Sequence, residues 1–98
     1  MAKSLLFLPA AERDMRDIWF YTAEHWGIDQ AKRYTNEIMD VCHALASGLK
    51  QGRPVDACPG YLKYLSGSHV VYFRDSGNSL EIVRVLHGRM DAPSRLLN

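Results

Sequence analysis

The feature that most constrains this chain is a single change of hydrophobic period. From Ala11 to Leu49 the apolar residues recur at helical spacing, and after Gly60 they recur at the spacing of strands. The helical part divides at Gly27. Before it, Ala11, Met15, Ile18, Trp19, Thr22 and Trp26 lie on one stripe. Pro9 suits the first helical position, where its missing N–H has no partner to lose. Glu12 with Arg16 and Arg13 with Asp17 stand at i,i+4 spacing on the other side. After Gly27, Asp29 is a plausible N-cap for a second helix with the stripe Ala31, Tyr34, Ile38, Val41, Leu45 and Leu49. That helix ends at Gly48 and the breaker-rich KQGRPVDACPG. Two amphipathic helices so closely joined form an antiparallel hairpin.

Beyond Gly60, the runs YLKYLS, HVVYF and SLEIVRVL are rich in β-branched and aromatic residues and are separated by the turn sequences SGS and DSGN. They read as a three-stranded antiparallel meander. The N-terminal SLLFL has strand character as well, so the order is β-α-α-β-β-β. This is an α+β fold with the helical hairpin packed on one face of a small, mainly antiparallel sheet. Neither a repeat nor a linker divides residues 1–98, which read as one domain. A chain of this length buries roughly two thirds of its unfolded surface, enough for one core. In the tail APSRLLN, Pro93 can open a short helix that Leu96 and Leu97 would dock.

Composition removes several functional classes. Twelve basic against 11 acidic residues, net +1, give no footprint for sequence-independent nucleic-acid binding. The apolar run LLFL stops at Pro9, too short for a signal segment or a membrane span, so the expectation is a soluble cytoplasmic protein. Cys42 and Cys58 form no CxxC and lie near no histidine at metal-binding spacing; free thiols and no metal or cofactor are expected.

Three groups of residues could carry function. His69 and His87 lie on different strands and can approach a common end of the sheet, but no acidic residue has a spacing that marks it as their orienter. Lys63, Arg74, Arg84 and Arg89 all fall in the strand region or at its end. By strict alternation Leu80, Ile82, Arg84 and Leu86 share one face of the last strand, with Glu81, Val83, Val85 and His87 on the other. An arginine in that apolar row is either at the edge of burial or held by a carboxylate. Finally, Trp19, Phe20, Tyr21 and Trp26 are more aromatic surface than one helical stripe can bury, and the remainder marks a partner site.

Three stretches of the chain resemble a known family. LPAAERDMRDIWFYTAEHWGIDQAKRY, PGYLKYLSGSHVVYFR and VRVLHGRMD follow, in order and over nearly the whole chain, the corresponding segments of the ParE toxins, with WG-x-x-QA, GSH and LHxRMD as the specific elements. Two positions depart from the pattern: Leu8 stands where a Ser or Thr cap is common, and Leu62 where Arg or Lys is usual after PGY. The resemblance implies a type II toxin that poisons DNA gyrase and is neutralised by a ParD-type ribbon-helix-helix antitoxin. The toxin itself then makes contacts and breaks no bonds. On that reading Trp19, Trp26, Tyr34 and Ile38 are candidates for the antitoxin groove or its floor. Arg84, His87, Arg89, Met90 and Asp91 are candidates for the toxic surface.

The same fold hosts RelE, a ribosome-dependent mRNA endoribonuclease, so fold alone does not choose a function. RelE-type sites array several Lys and Arg residues on the second and third strands with an aromatic residue near the C-terminus, to stabilise the phosphate and supply a base. YLKYLSGSHVVY offers only Lys63 there, His69 replaces an arginine, and no Tyr follows RMD. The expectation is therefore no nuclease activity. A third alternative is a binding module that still pairs with an antitoxin but is no longer toxic.

Overall fold

The computed structural model describes residues 3–96. The elements are β1 (Ser4–Phe7), α1 (Pro9–Trp26), α2 (Ile28–Ser47), β2 (Arg53–Pro54), β3 (Leu62–Ser66), β4 (His69–Asp75), β5 (Ser79–His87) and α3 (Ala92–Leu96). The sheet order is β1-β5-β4-β3-β2; β1 runs parallel to β5 and every other pairing is antiparallel. The helical hairpin and the meander are as the periodicity requires. The two-residue strand β2 comes from a segment that reads as breakers alone, and Leu97 lies outside the described residues.

The helix ends follow from backbone chemistry. At α1, Leu8 is extended and offers no side-chain cap, and Pro9 occupies the first turn. Gly27 alone separates the helices. Its N–H donates to the Ala23 carbonyl and its own carbonyl accepts from Ala31, so one residue both closes α1 and opens α2. Its φ of 95° and ψ of 163° lie in a region essentially reserved for glycine. Asp29, expected as the cap of α2, instead sits inside the first turn, where its charge still complements the helix dipole. At the other end Gly48, left-handed with φ 85°, turns the chain away, and Leu49 leaves the apolar stripe for solvent. The i,i+4 charges on α1 form no ion pair; among the described residues the pairs are Lys3–Asp75, Arg74–Glu81 and Arg84–Asp14.

The alternation on β5 is not strict. Tyr72 pairs with Arg84 and Phe73 with Ile82, which leaves Val83 as the extra residue of a β-bulge. Beyond it the faces exchange. Leu80, Ile82 and Val85 pack with Ala11, Ile18, Ile38, Cys42 and Leu45 beneath the helices, whereas Val83 and Leu86 pack on the opposite face. Leu86 therefore does not share the face of Ile82, and Val85 does not share that of Val83. The face away from the hairpin is itself covered. Val55 and Cys58 of the 55–61 segment and Leu96 of α3 bury Tyr72, Val83 and Leu86 in a second, smaller cluster. Both cysteines are free and buried, and burial pushes the Cys42 thiol up to about 12.

Candidate functional site

Two polar arrangements hang on the C-terminal half of β5. The first holds the sheet to α1. Beyond Phe7, β1 no longer pairs with β5, and Asp14 takes over that edge from the helix. Its carboxylate accepts from Arg84 Nε at 2.7 Å, Arg84 Nη2 at 2.8 Å and the Val85 backbone N–H at 2.9 Å. The bidentate geometry is the strong form of the pair. The hydrogen bonds from Asp14 hold the Arg84 pKa above its ordinary value. Arg84, a candidate for the toxic surface, is thus both at the edge of burial and held by a carboxylate.

The second arrangement lies three residues further along. His69 and His87 are cross-strand partners at the ends of β4 and β5, with ring centroids 5.4 Å apart in an edge-to-face arrangement. Tyr34 of α2 reaches them: its hydroxyl lies 2.6 Å from His69 Nδ1 and accepts the Ser68 N–H at 3.0 Å. Gly67 makes the approach possible, since a Cβ there would stand 2.7 Å from the Tyr34 ring and 2.9 Å from its hydroxyl. On the other ring, His87 Nδ1 accepts the Arg89 N–H at 3.2 Å. The His69 pKa is lowered, first by burial and then by His87, with Asp14 acting in the opposite sense.

These rings form one end of a groove of about 900 Å³ between the hairpin and the strand ends. Ile18, Tyr21 and Trp26 of α1 line it with Tyr34 and Met90, and Asp17 and Gln30 add polar atoms to the helical wall. Trp26 is 73% exposed, Tyr21 62% and Met90 45%, so the groove is apolar surface left uncovered.

The groove mixes the two sets of sequence candidates. Trp26 and Tyr34 of the antitoxin set meet His87 and Met90 of the toxic set. Trp19 packs edge-to-face on Phe20, away from the groove lining. Ile38 is fully buried in the core beneath the helices and contributes no surface. Arg89 and Asp91 are exposed beside the groove, where the Asp91 carbonyl accepts from Ser94 Oγ at the start of α3. Asp17, Gln30 and Ser68 were not legible as site residues. His69 was, although as one of a possible catalytic pair. The other basic residues lie elsewhere: Lys63 pairs with Arg53 on the outer strands, and Arg74 is held by Glu81 and stacks on Tyr61. Among the described residues no helix is long and apolar enough to cross a membrane, and no group of three or more metal-binding side chains comes together.

Comparison with known proteins agrees with this architecture. The chain is similar to the toxin ParE1 of Mycobacterium tuberculosis, 38% identical over 98 residues, which cover 98% of this chain and all of that protein. It is also similar to the toxin ParE1 of Caulobacter vibrioides, 39% identical over 87 residues, covering 88% of this chain and 90% of that one. Among solved structures, a chain of the chromosomal ParDE system of P. aeruginosa superposes with a TM-score of 0.78 at 21% identity, covering 88% of this chain and 96% of that one. A chain of the RelBE2 toxin-antitoxin complex of M. tuberculosis gives 0.65 at 18% identity, covering 89% and 92%. At these identities the structural matches speak to the fold alone. The family model of the ParE toxin of type II toxin-antitoxin systems matches residues 5–92. With that match and the identity to the two ParE1 proteins, the chain belongs to the ParE toxins of type II toxin-antitoxin systems.

Proposed function

We propose that this toxin acts by contact, poisoning DNA gyrase, and that a ParD-type antitoxin silences it by laying an amphipathic segment into the groove between the hairpin and the strand ends. The observation that carries the antitoxin part is the groove itself: Trp26, Tyr21 and Met90 present uncovered apolar surface beside a polar end. A helix in an apolar groove is a recurrent mode of recognition, and a segment that orders on binding suits it. The toxic surface is then the rim beyond β5, with Arg89, Met90 and Asp91 exposed.

Action without bond breaking is supported by where the charges lie. Phosphoryl transfer needs cations gathered around the reacting phosphate. Here Arg84 is committed to Asp14, Arg74 to Glu81, and Lys63 lies on the outer strands. The carboxylate nearest the histidines in effect, Asp14, already receives three hydrogen bonds and orients neither ring. The test is direct: purified toxin added to gyrase and relaxed plasmid should block supercoiling and accumulate cleaved DNA, and translating ribosomes should keep their mRNA intact. Site-specific mRNA cleavage with unimpaired gyrase would contradict the proposal, and unimpaired growth on overexpression would leave only the antitoxin-binding part.

A further inference from the structure

We infer that His69 and His87 form a carboxylate-binding subsite at the strand end of the groove, which receives one acidic side chain of the antitoxin segment. This rests on the groove reading above and adds the chemistry of the contact. The argument is one of tautomers. His87 Nδ1 accepts the Arg89 N–H, so the proton of the neutral ring must sit on Nε2. Tyr34 Oη already accepts from Ser68, and its own proton has two acceptors in reach, His69 Nδ1 at 2.6 Å and the Ser66 carbonyl at 3.5 Å. Assigning it to the shorter bond places the His69 proton on Nε2 as well.

Both rings therefore use Nδ1 inside the protein and keep an Nε2–H donor spare. Neither donor is sealed off: among the described residues the only buried side-chain nitrogen or oxygen lacking a partner is Arg74 Nε. Two N–H donors on paired rings that both line the groove suit an acceptor with two oxygens. Protonation of His69 turns its Nδ1 into a donor to Tyr34 Oη, adds positive charge and leaves Nε2 a donor, so the preference for an anion holds in both of its charge states.

The surroundings choose among anions. From α1 the pair meets the carboxylates Asp14 and Asp17 and the phenol of Tyr21; from α2 the phenol of Tyr34; from β5 and its extension the cations Arg84 and Arg89. Asp14 is neutralised by Arg84, and Asp17 on the helical wall repels a second carboxylate. An acidic side chain is thereby confined to the histidine end. Among the described residues Arg89 is the one cation next to the pair without an ion pair, so a phosphate diester chain finds no continuing track of charge. The apolar wall of Ile18, Trp26 and Met90 suits a protein segment that carries apolar residues next to one Asp or Glu. A bound carboxylate also favours the His69 imidazolium, whose Nδ1–H can donate to Tyr34 Oη, so docking takes up a proton there.

The experiment is a titration of the full-length toxin with its cognate antitoxin, each Asp and Glu of the antitoxin being changed in turn to its amide. One such change should weaken binding about ten- to a hundredfold, the loss expected for a charged hydrogen bond. The toxin variant His87→Phe should lose a similar factor and abolish the effect of that amide change, while His87→Gln, which keeps a donor, should recover part of it. Wild-type affinity should rise as the pH falls through the pKa of His69 in the complex and level off below that of His69 in the free toxin. If Trp26→Ala weakens binding but every amide change adds independently to His87→Phe, the groove reading stands and the carboxylate subsite is overturned. If Trp26→Ala and Met90→Ala both bind at full strength, the groove reading falls first. Should a short RNA move the histidine NMR resonances while the antitoxin does not, the pair holds phosphate and the inference is wrong.

Discussion

Arg84 and His87 stand three residues apart on the same strand, and their surroundings are opposite in kind. Around Arg84 every strong group is paired within the protein: Asp14 receives two guanidinium bonds and the edge N–H of Val85. Around His87 one side of each imidazole is paired, and the other faces a groove walled by exposed Trp26, Tyr21 and Met90. Polar groups that satisfy one another hold the fold; polar groups held on one side only are positioned for something outside it. Sequence position does not separate the two kinds, since both lie in RVLHGRMD.

The largest expected effect breaks the first side of this comparison. Asp14→Ala leaves a partly buried guanidinium and a strand-edge N–H without a partner, and should cost about 3 kcal/mol in urea unfolding, the low end for a broken buried pair because part of Arg84 reaches water. Adding Arg84→Met to Asp14→Ala, which removes the stranded guanidinium as well, should recover part of that loss. Gly67→Ala should cost about 1–2 kcal/mol for the left-handed backbone alone. It should also push Tyr34 off His69, seen as a change in the ¹⁵N shift of His69 Nδ1.

A smaller effect is the pH dependence carried by His69. Its folded pKa lies below the ordinary value of 6.5, so the unfolded chain binds the proton more readily. The stabilisation is full above the unfolded pKa and is lost as pH falls through 6.5 toward the folded pKa. Denaturation midpoints should therefore decline over that interval for wild type and decline less for His69→Gln. The smallest effect on stability sharpens the other side: Trp26→Ala should unfold within about 0.5 kcal/mol of wild type, as an exposed residue whose role is outside the fold.

Much of the architecture was legible because it is local. Helical and strand periods, Gly27, Gly48 and the SGS turn each act through neighbouring residues. The β-bulge at Val83 was not legible, since nothing in SLEIVRVL distinguishes an inserted residue from an alternating one, and it exchanges the faces of Val85 and Leu86. The partner of Arg84 could be expected as a carboxylate but not located, because Asp14 lies 70 residues away. The site was half legible for the same reason. Trp26, Tyr34, His87 and Met90 were named from surplus aromaticity and family resemblance, but only the packing of α2 against the β3–β4 turn puts them around one groove. Ile38, on the same helical stripe as Tyr34, turned out to be core, as a stripe wide enough to reach the sheet requires.

The claim that groove and anchor differ in kind is tested most directly by one measurement on the double variant Trp26→Ala/Met90→Ala: its affinity for the cognate antitoxin, with its melting curve recorded alongside. The account expects a wild-type melting curve and an antitoxin affinity reduced by tenfold or more, about 1.4 kcal/mol. A variant that melts normally and still binds the antitoxin at full strength would contradict it.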